Sequence, residues 1–123
     1  MPVFRAPAQS THQLGPVQFT SLATSSMGTV QTTLWKIEVP VGAPPTPHML
    51  SNEELFYVVS GTANVRMNDV DETASTGDCI VVPREVVFEL TNGGDDLLVL
   101  VSCMPVGTEV IMGEMRFVPP WTA

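Results

Sequence analysis

From Thr29 onward, apolar residues gather in short runs rich in β-branched and aromatic side chains, stopped by Gly, Pro, Asn and Asp. Runs at Thr29–Val39, Glu54–Ser60, Thr62–Asn68, Cys79–Val82, Val86–Leu90, Leu97–Met104 and Glu109–Val118 predict strands. The breaks at Gly42–Pro47, Gly61, Asn68-Asp69, Gly77-Asp78, Pro83-Arg84 and Asn92–Asp96 carry the chemistry of turns. No segment sustains a helical period. The pattern predicts an all-β domain, a sandwich or a barrel. Asp69, Asp71, Glu72, Asp95 and Asp96 are expected as solvated turn charges.

Several runs are apolar on both faces. Side chains two apart share a face of a strand, so Glu54, Phe56 and Val58 fall on one side and Glu53, Leu55 and Tyr57 on the other. A strand with one wet face would alternate apolar and polar residues. Both faces therefore need cover, either in a closed barrel whose outside meets another subunit or in a sandwich on a second layer. By the same rule Trp35 groups with Ile37 and Val39, against Leu34, Lys36 and Glu38, and one of the two sets must face the interior.

The first 28 residues differ in character, being rich in Ser, Thr, Gln and Pro with isolated apolar anchors such as Phe4 and Phe19. Val17–Leu22 is expected to add an edge strand and Ala23–Gly28 to turn, with the arm free to dock on a partner. Past Val118 the tail Val118-Pro-Pro-Trp121 has no strand pattern; folding over the barrel mouth and docking loosely both stay open. The organisation expected is an arm over 1–28, a core over 29–105 and a tail over 106–123 packed on that core.

A chain of 123 residues with 44% apolar and 15% charged residues makes one domain with a real core rather than a disordered segment. Five Lys and Arg against thirteen Asp and Glu give a net charge of −8, and the cations are scattered. A phosphate-binding groove needs clustered cations, so nucleic acid is not an expected partner. Apolar runs such as Leu97–Val101 fall far short of the ~20 residues that span a bilayer, and the N-terminus lacks the apolar stretch of a secretory signal. A soluble, cytoplasmic protein is expected. In that setting Cys79 and Cys103 are expected to be reduced and buried.

Two stretches carry a family resemblance. Gly42-Ala-Pro-Pro-Thr-Pro-His48-Met-Leu50-Ser-Asn-Glu53-Glu54-Leu-Phe-Tyr-Val-Val-Ser-Gly61 resembles the first cupin motif: glycine, five residues, His-x-His, three or four residues, glutamate, six residues, glycine. Gly42, His48, Glu54 and Gly61 match, and Leu50 stands at the second histidine. Gly77-Asp-Cys-Ile-Val-Val-Pro83-Arg-Glu85-Val-Val-Phe88-Glu-Leu-Thr-Asn92 resembles the second motif, with Gly77, Pro83 and Asn92 matching, Glu85 in place of a glycine and Phe88 in place of the last histidine. The resemblance covers roughly 29–105. It implies a single cupin-type β-barrel or jelly roll with a central pocket, and a homodimer formed by exchange of the N-terminal arm.

The resemblance also implies where chemistry would sit. Most cupins hold a divalent metal with three histidines and one carboxylate, but Leu50 and Phe88 cannot coordinate, leaving His48 and Glu54 as the only metal-ligand candidates of the set. His12 lies outside both motifs. No cofactor is expected on this reading. A transition metal held by His48, Glu54 and a third ligand such as Cys103 is the alternative, and it would suit a dioxygenase. His48 and Glu54 in an apolar cavity lined by Leu50, Phe56, Phe88, Trp35 and Cys103 form an acid–base pair suited to isomerisation or cyclisation of a largely apolar, carbonyl-containing small molecule. The quieter reading is a hydrogen-bonded pair in a binding module without turnover. Tyr57 is expected outside, and Cys103 is equally at home as a small buried hydrophobe. Phosphate loops, nucleophile elbows, Cys-x-x-Cys pairs and His-Glu-x-x-His motifs do not occur in the sequence.

Overall fold

A computed structural model describes residues 3–123; the first two residues of the expected arm lie outside it. The arm forms a hairpin of β1 (His12–Leu14) and β2 (Val17–Ala23), turning at Gly15-Pro16 with Gly15 at φ 57°. There follow β3 (Thr32–Val39), β4 (Met49–Leu50), β5 (Glu54–Ser60), β6 (Thr62–Met67), β7 (Val70–Ser75) and β8 (Cys79–Val82). The chain ends through β9 (Phe88–Asn92), β10 (Leu98–Pro105), β11 (Val110–Met112) and β12 (Met115–Phe117). One sheet runs β1-β2-β3-β10-β5-β8, a second β12-β11-β4 and a third β7-β6-β9.

The three sheets enclose one interior. Burial alternates along β3, where Thr33, Trp35, Ile37 and Val39 face in, and along β10, where Leu98, Leu100, Ser102 and Met104 do. Glu54, Phe56 and Val58 of β5 share that face. Leu50 of β4 and Phe88 of β9 close it from the other sheets, and paired backbone hydrogen bonds between His48 and Phe88 tie those sheets together. Gly61 turns β5 into β6 at φ 90°, where a Cβ would meet the Leu97 carbonyl oxygen at 2.8 Å, so no larger residue fits.

Several boundaries differ from the sequence expectation, each for a local reason. The Val17–Leu22 segment is not the sheet edge, because β1 pairs outside it. The hairpin extends the sheet of its own chain by pairing β2 with β3. Val70–Ser75 is a strand although Asp71 and Glu72 were expected in a turn: Asn68 and Asp69, at φ 52° and 61°, make the tight turn, and β7 then buries only Ala74. Glu109–Val118 is broken into two strands by Gly113 at φ 59°. The run expected at Val86 begins at Phe88, after a turn through Glu85. Both cysteines are free, but Cys79 is exposed rather than buried. No helix among the described residues is long and apolar enough to cross a membrane.

Glu85, where the second motif has glycine, adopts φ 59° and donates its backbone N–H to the Leu50 carbonyl at 2.8 Å. An L-residue in this left-handed region costs about 1–2 kcal/mol, and the exposed ion pair of Glu85 with Arg84 returns little. Glu85→Gly is therefore expected to stabilise the fold by about 1 kcal/mol, read as a higher urea midpoint at unchanged slope; a lowered midpoint would contradict the strain at this turn.

Candidate functional site

The interior holds a cavity of about 360 Å³ walled almost wholly by apolar side chains from all three sheets. Trp35, Ile37 and Val39 line it from β3, Phe56 from β5 and Leu100 and Met104 from β10. Leu50 and Phe88 complete the wall opposite. Two segments outside the motifs also reach it. Phe19 of the arm stacks on Trp121 of the tail, ring centroids 3.8 Å apart and planes within 10°, and Ser21 Oγ donates to the Trp121 carbonyl at 2.7 Å. The tail therefore packs over the barrel as a wall of the cavity, which also takes in Leu14 and Pro16 of the β1–β2 turn.

His48 and Glu54 both line this cavity, on different supports. His48 follows the proline-rich stretch after β3 and is fixed by its two backbone bonds to Phe88, whose ring lies 4.7 Å from the imidazole at 53°. Its Nδ1 lies 2.7 Å from the Thr46 carbonyl oxygen. A carbonyl can only accept, so Nδ1 carries the hydrogen and Nε2 is left with a lone pair. Burial lowers the pKa of the ring, opposed by the Thr46 bond, and favours this neutral form.

Glu54 is 4% exposed, with no cation beside it. Burial pushes its carboxyl up to about 8, against the opposing pull of the Ser102 hydroxyl. Ser102 Oγ stands 2.6 Å from Glu54 Oε2 and 2.9 Å from the Leu55 carbonyl oxygen. One hydroxyl hydrogen serves one acceptor well. When Glu54 is ionised Ser102 donates to it; when Glu54 is protonated the carboxyl donates to Oγ and the hydroxyl turns to Leu55. Both protonation states stay satisfied inside an apolar wall.

Ser102 was missed in the sequence. Its signal was a polar residue in register with Leu98, Leu100 and Met104, the inward set of β10. The assignment of Cys103 to the pocket is corrected by the same register: Cys103 shares the outward, partly exposed face with Val99 and Val101 and does not line the cavity. Trp35, Leu50, Phe56 and Phe88 do line it. His48 and Glu54 are not hydrogen-bonded to each other, since their partners are Thr46 and Ser102.

The cupin domain profile matches residues 35–104, more than half of the chain. The chain belongs to the cupin family. No curated protein matches the sequence, but cupin structures resemble the fold. The polyketide cyclase RemF from Streptomyces resistomycificus is 20% identical with a TM-score of 0.69, over 86% of this chain and 75% of that one. KdgF from Halomonas sp. is 22% identical with a TM-score of 0.67, over 79% and 86%. The EutQ protein of Clostridium difficile is 18% identical with a TM-score of 0.62; the match covers 74% of this cupin and 64% of EutQ's own length.

The donors of this cupin do not fit the family's divalent metal. Leu50 and Phe88 fill two ligand positions with side chains that cannot coordinate, and the carboxyl of Glu54 is engaged by Ser102. Cys103 is on the far face with burial pushing its thiol pKa up. Among the described residues no three His, Cys, Asp or Glu side chains come together in an arrangement that could hold a metal ion.

The Glu54 carboxyl makes stability depend on pH in a predictable sense. Between its ordinary value of 4.5 and its folded value of about 8, the unfolded chain releases a proton that the folded chain keeps. Its contribution is complete below 4.5, declines as pH rises and levels off above about 8. Glu54→Gln removes this loss, so the variant should gain on the order of 4 kcal/mol over the parent between pH 4.5 and 8.5. Urea unfolding at both pH values measures it, and equal pH slopes for the two proteins would rule out a protonated, buried Glu54.

Proposed function

We propose that this cupin is a small-molecule isomerase or cyclase acting on a largely apolar, carbonyl-bearing substrate, with His48 as base and Glu54 as acid. The observation that carries the reading is the pairing, in one apolar cavity, of an imidazole whose Nε2 lone pair is unengaged with a buried carboxyl whose surroundings favour its protonated form. His48 Nε2 takes a proton from the carbon beside the substrate carbonyl while Glu54 gives its proton to the carbonyl oxygen, leaving a neutral enol. The Thr46 carbonyl holds the imidazolium through Nδ1–H, and Ser102 turns its hydrogen to the new carboxylate. Reprotonation at another carbon isomerises the substrate, and attack of the enol carbon on a second carbonyl closes a ring. His48 and Glu54 recover their starting states in either case. The likeness to a polyketide cyclase supports this reading, and the donor set argues against a metal-dependent route.

The test is proton exchange at the carbon beside a ketone, followed by NMR with 2-tetralone in deuterated buffer. The native protein should accelerate exchange, His48→Ala should lose about 100-fold or more and Glu54→Gln a comparable amount. The rate should fall above about pH 8 as Glu54 loses its proton. Exchange no faster than in buffer would leave a binding module as the surviving reading.

The proposal includes a second copy of the chain as partner. The outward face of the largest sheet exposes Leu34, Leu55, Tyr57, Val59 and Val81. Register makes them one patch: Leu34 lies opposite Cys103, Cys103 opposite Leu55 and Leu55 opposite Val81. The five side chains are uncharged, and the Lys36–Glu38 ion pair beside them on the same face is neutral overall, so two copies can meet there about a two-fold axis without opposing like charges at the contact. Sedimentation equilibrium should show a dimer that Tyr57→Lys dissociates; a monomeric native protein would remove this part of the proposal.

A further inference from the structure

We infer that the cavity selects an uncharged aromatic ligand bearing a phenolic or enolic hydroxyl and discriminates against carboxylates and phosphates. This rests on the reading of the cavity as the substrate site and narrows it to a chemical class.

The polarity of His48 sets the first requirement. With Nδ1–H committed to the Thr46 carbonyl, Nε2 of the resting neutral ring can only accept, and no described residue donates to it. A ligand carboxylate or phosphate would place lone pairs against a lone pair. A hydroxyl brings the hydrogen that Nε2 lacks. A planar sp² carbon carrying that hydroxyl, as in a phenol or an enol, is the acidic kind that an imidazole holds best.

The second requirement comes from charge. Among the described residues, no Lys or Arg lies in the cavity wall. Lys36 pairs with Glu38, Arg66 with Asp69 and Asp71, Arg84 with Glu85 and Arg116 with Glu109, all outside it. An anion entering would lose its hydration with no opposite charge to receive it.

The third is a missing hydrogen-bond partner. Trp35 is 2% exposed and lines the cavity, yet its Nε1–H has no hydrogen-bond partner among the described residues. A buried donor left unpaired costs about 1–3 kcal/mol, which a ligand oxygen in reach of this wall recovers. The remaining wall offers aromatic faces: Phe88 lies 6.0 Å from Phe56, and Phe19 is stacked on Trp121. Flat, ring-bearing molecules match such a lining.

Calorimetric titration with 1-naphthol, naphthalene and 1-naphthoate at pH 7.5 separates the three requirements. 1-Naphthol should bind about tenfold tighter than either of the others, the worth of one good hydrogen bond. The chain has two tryptophans, and both line the cavity, so both indole N–H resonances should shift in a ¹⁵N spectrum as binding occurs. In His48→Phe, 1-naphthol should fall to the affinity of naphthalene while naphthalene itself still binds, which shows that the variant is folded. Equal or tighter binding of 1-naphthoate, equal binding of 1-naphthol and naphthalene, or binding of none of them would overturn the inference. Selective binding of 1-naphthol without proton exchange in 2-tetralone would instead remove the catalytic reading and leave the ligand class standing.

Discussion

The in–out alternation along β3, β5 and β10 is the constraint from which the cavity, its polar groups and its outer surface follow. These strands lie next to one another, and their registers set Trp35 opposite Ser102 and Ser102 opposite Phe56. With the inward set fixed, Glu54 has to look into the barrel, because it is two residues from Phe56 on the same pleat. The outward set then presents its own apolar side chains to the surroundings. One periodicity thus creates a cavity on one side of the sheet and an exposed apolar face on the other.

A single carboxyl in an apolar wall is costly, and the structure shows how it is accommodated. Glu54 has no cation in reach, so the neutral form is favoured, and Ser102 satisfies that form as well as the ionised one by rotating one hydroxyl. His48 is handled in the complementary way: a backbone carbonyl fixes its tautomer and the Phe88 ring holds its plane. Each group is positioned by the polypeptide rather than by the other. Each is bonded to a partner other than the opposite member of the pair, the separation that the proposed acid–base reading requires.

The strand pattern and the paired glycine-rich motifs made the barrel legible from the sequence, and three of the wall residues, Leu50, Phe56 and Phe88, were readable from motif position and parity, whereas Trp35 was a candidate whose inward face parity left open. What parity cannot say is which face of a strand is the inside. The run from Leu98 to Met104 is apolar on both faces, so the choice between Ser102 and Cys103 was undetermined along the chain, and only the register with β5 decides it. β7 was invisible for a different reason. Its solvated position asks nothing of its side chains beyond one buried alanine, so Asp71 and Glu72 looked like turn residues. Phe19 and Trp121 are separated by nearly the full length of the chain, and no local pattern could announce their stacking.

The two departures from the family motif act together rather than as separate losses. A bound cation holds a neighbouring carboxylate in its ionised form and imposes its own charge on whatever enters. Leu50 and Phe88 remove the imidazoles that such a cation needs, and their apolar surface raises the cost of ionising Glu54. The same wall therefore leaves the remaining carboxyl favouring its neutral form, the state in which the proposed mechanism uses it as an acid. Leu50 and Phe88 also leave His48 without competing donors, so that its lone pair is available to a guest. On the proposed reading the cavity then prefers neutral, hydroxyl-bearing rings, and that preference follows from the chemistry of the wall and not from any change in the barrel.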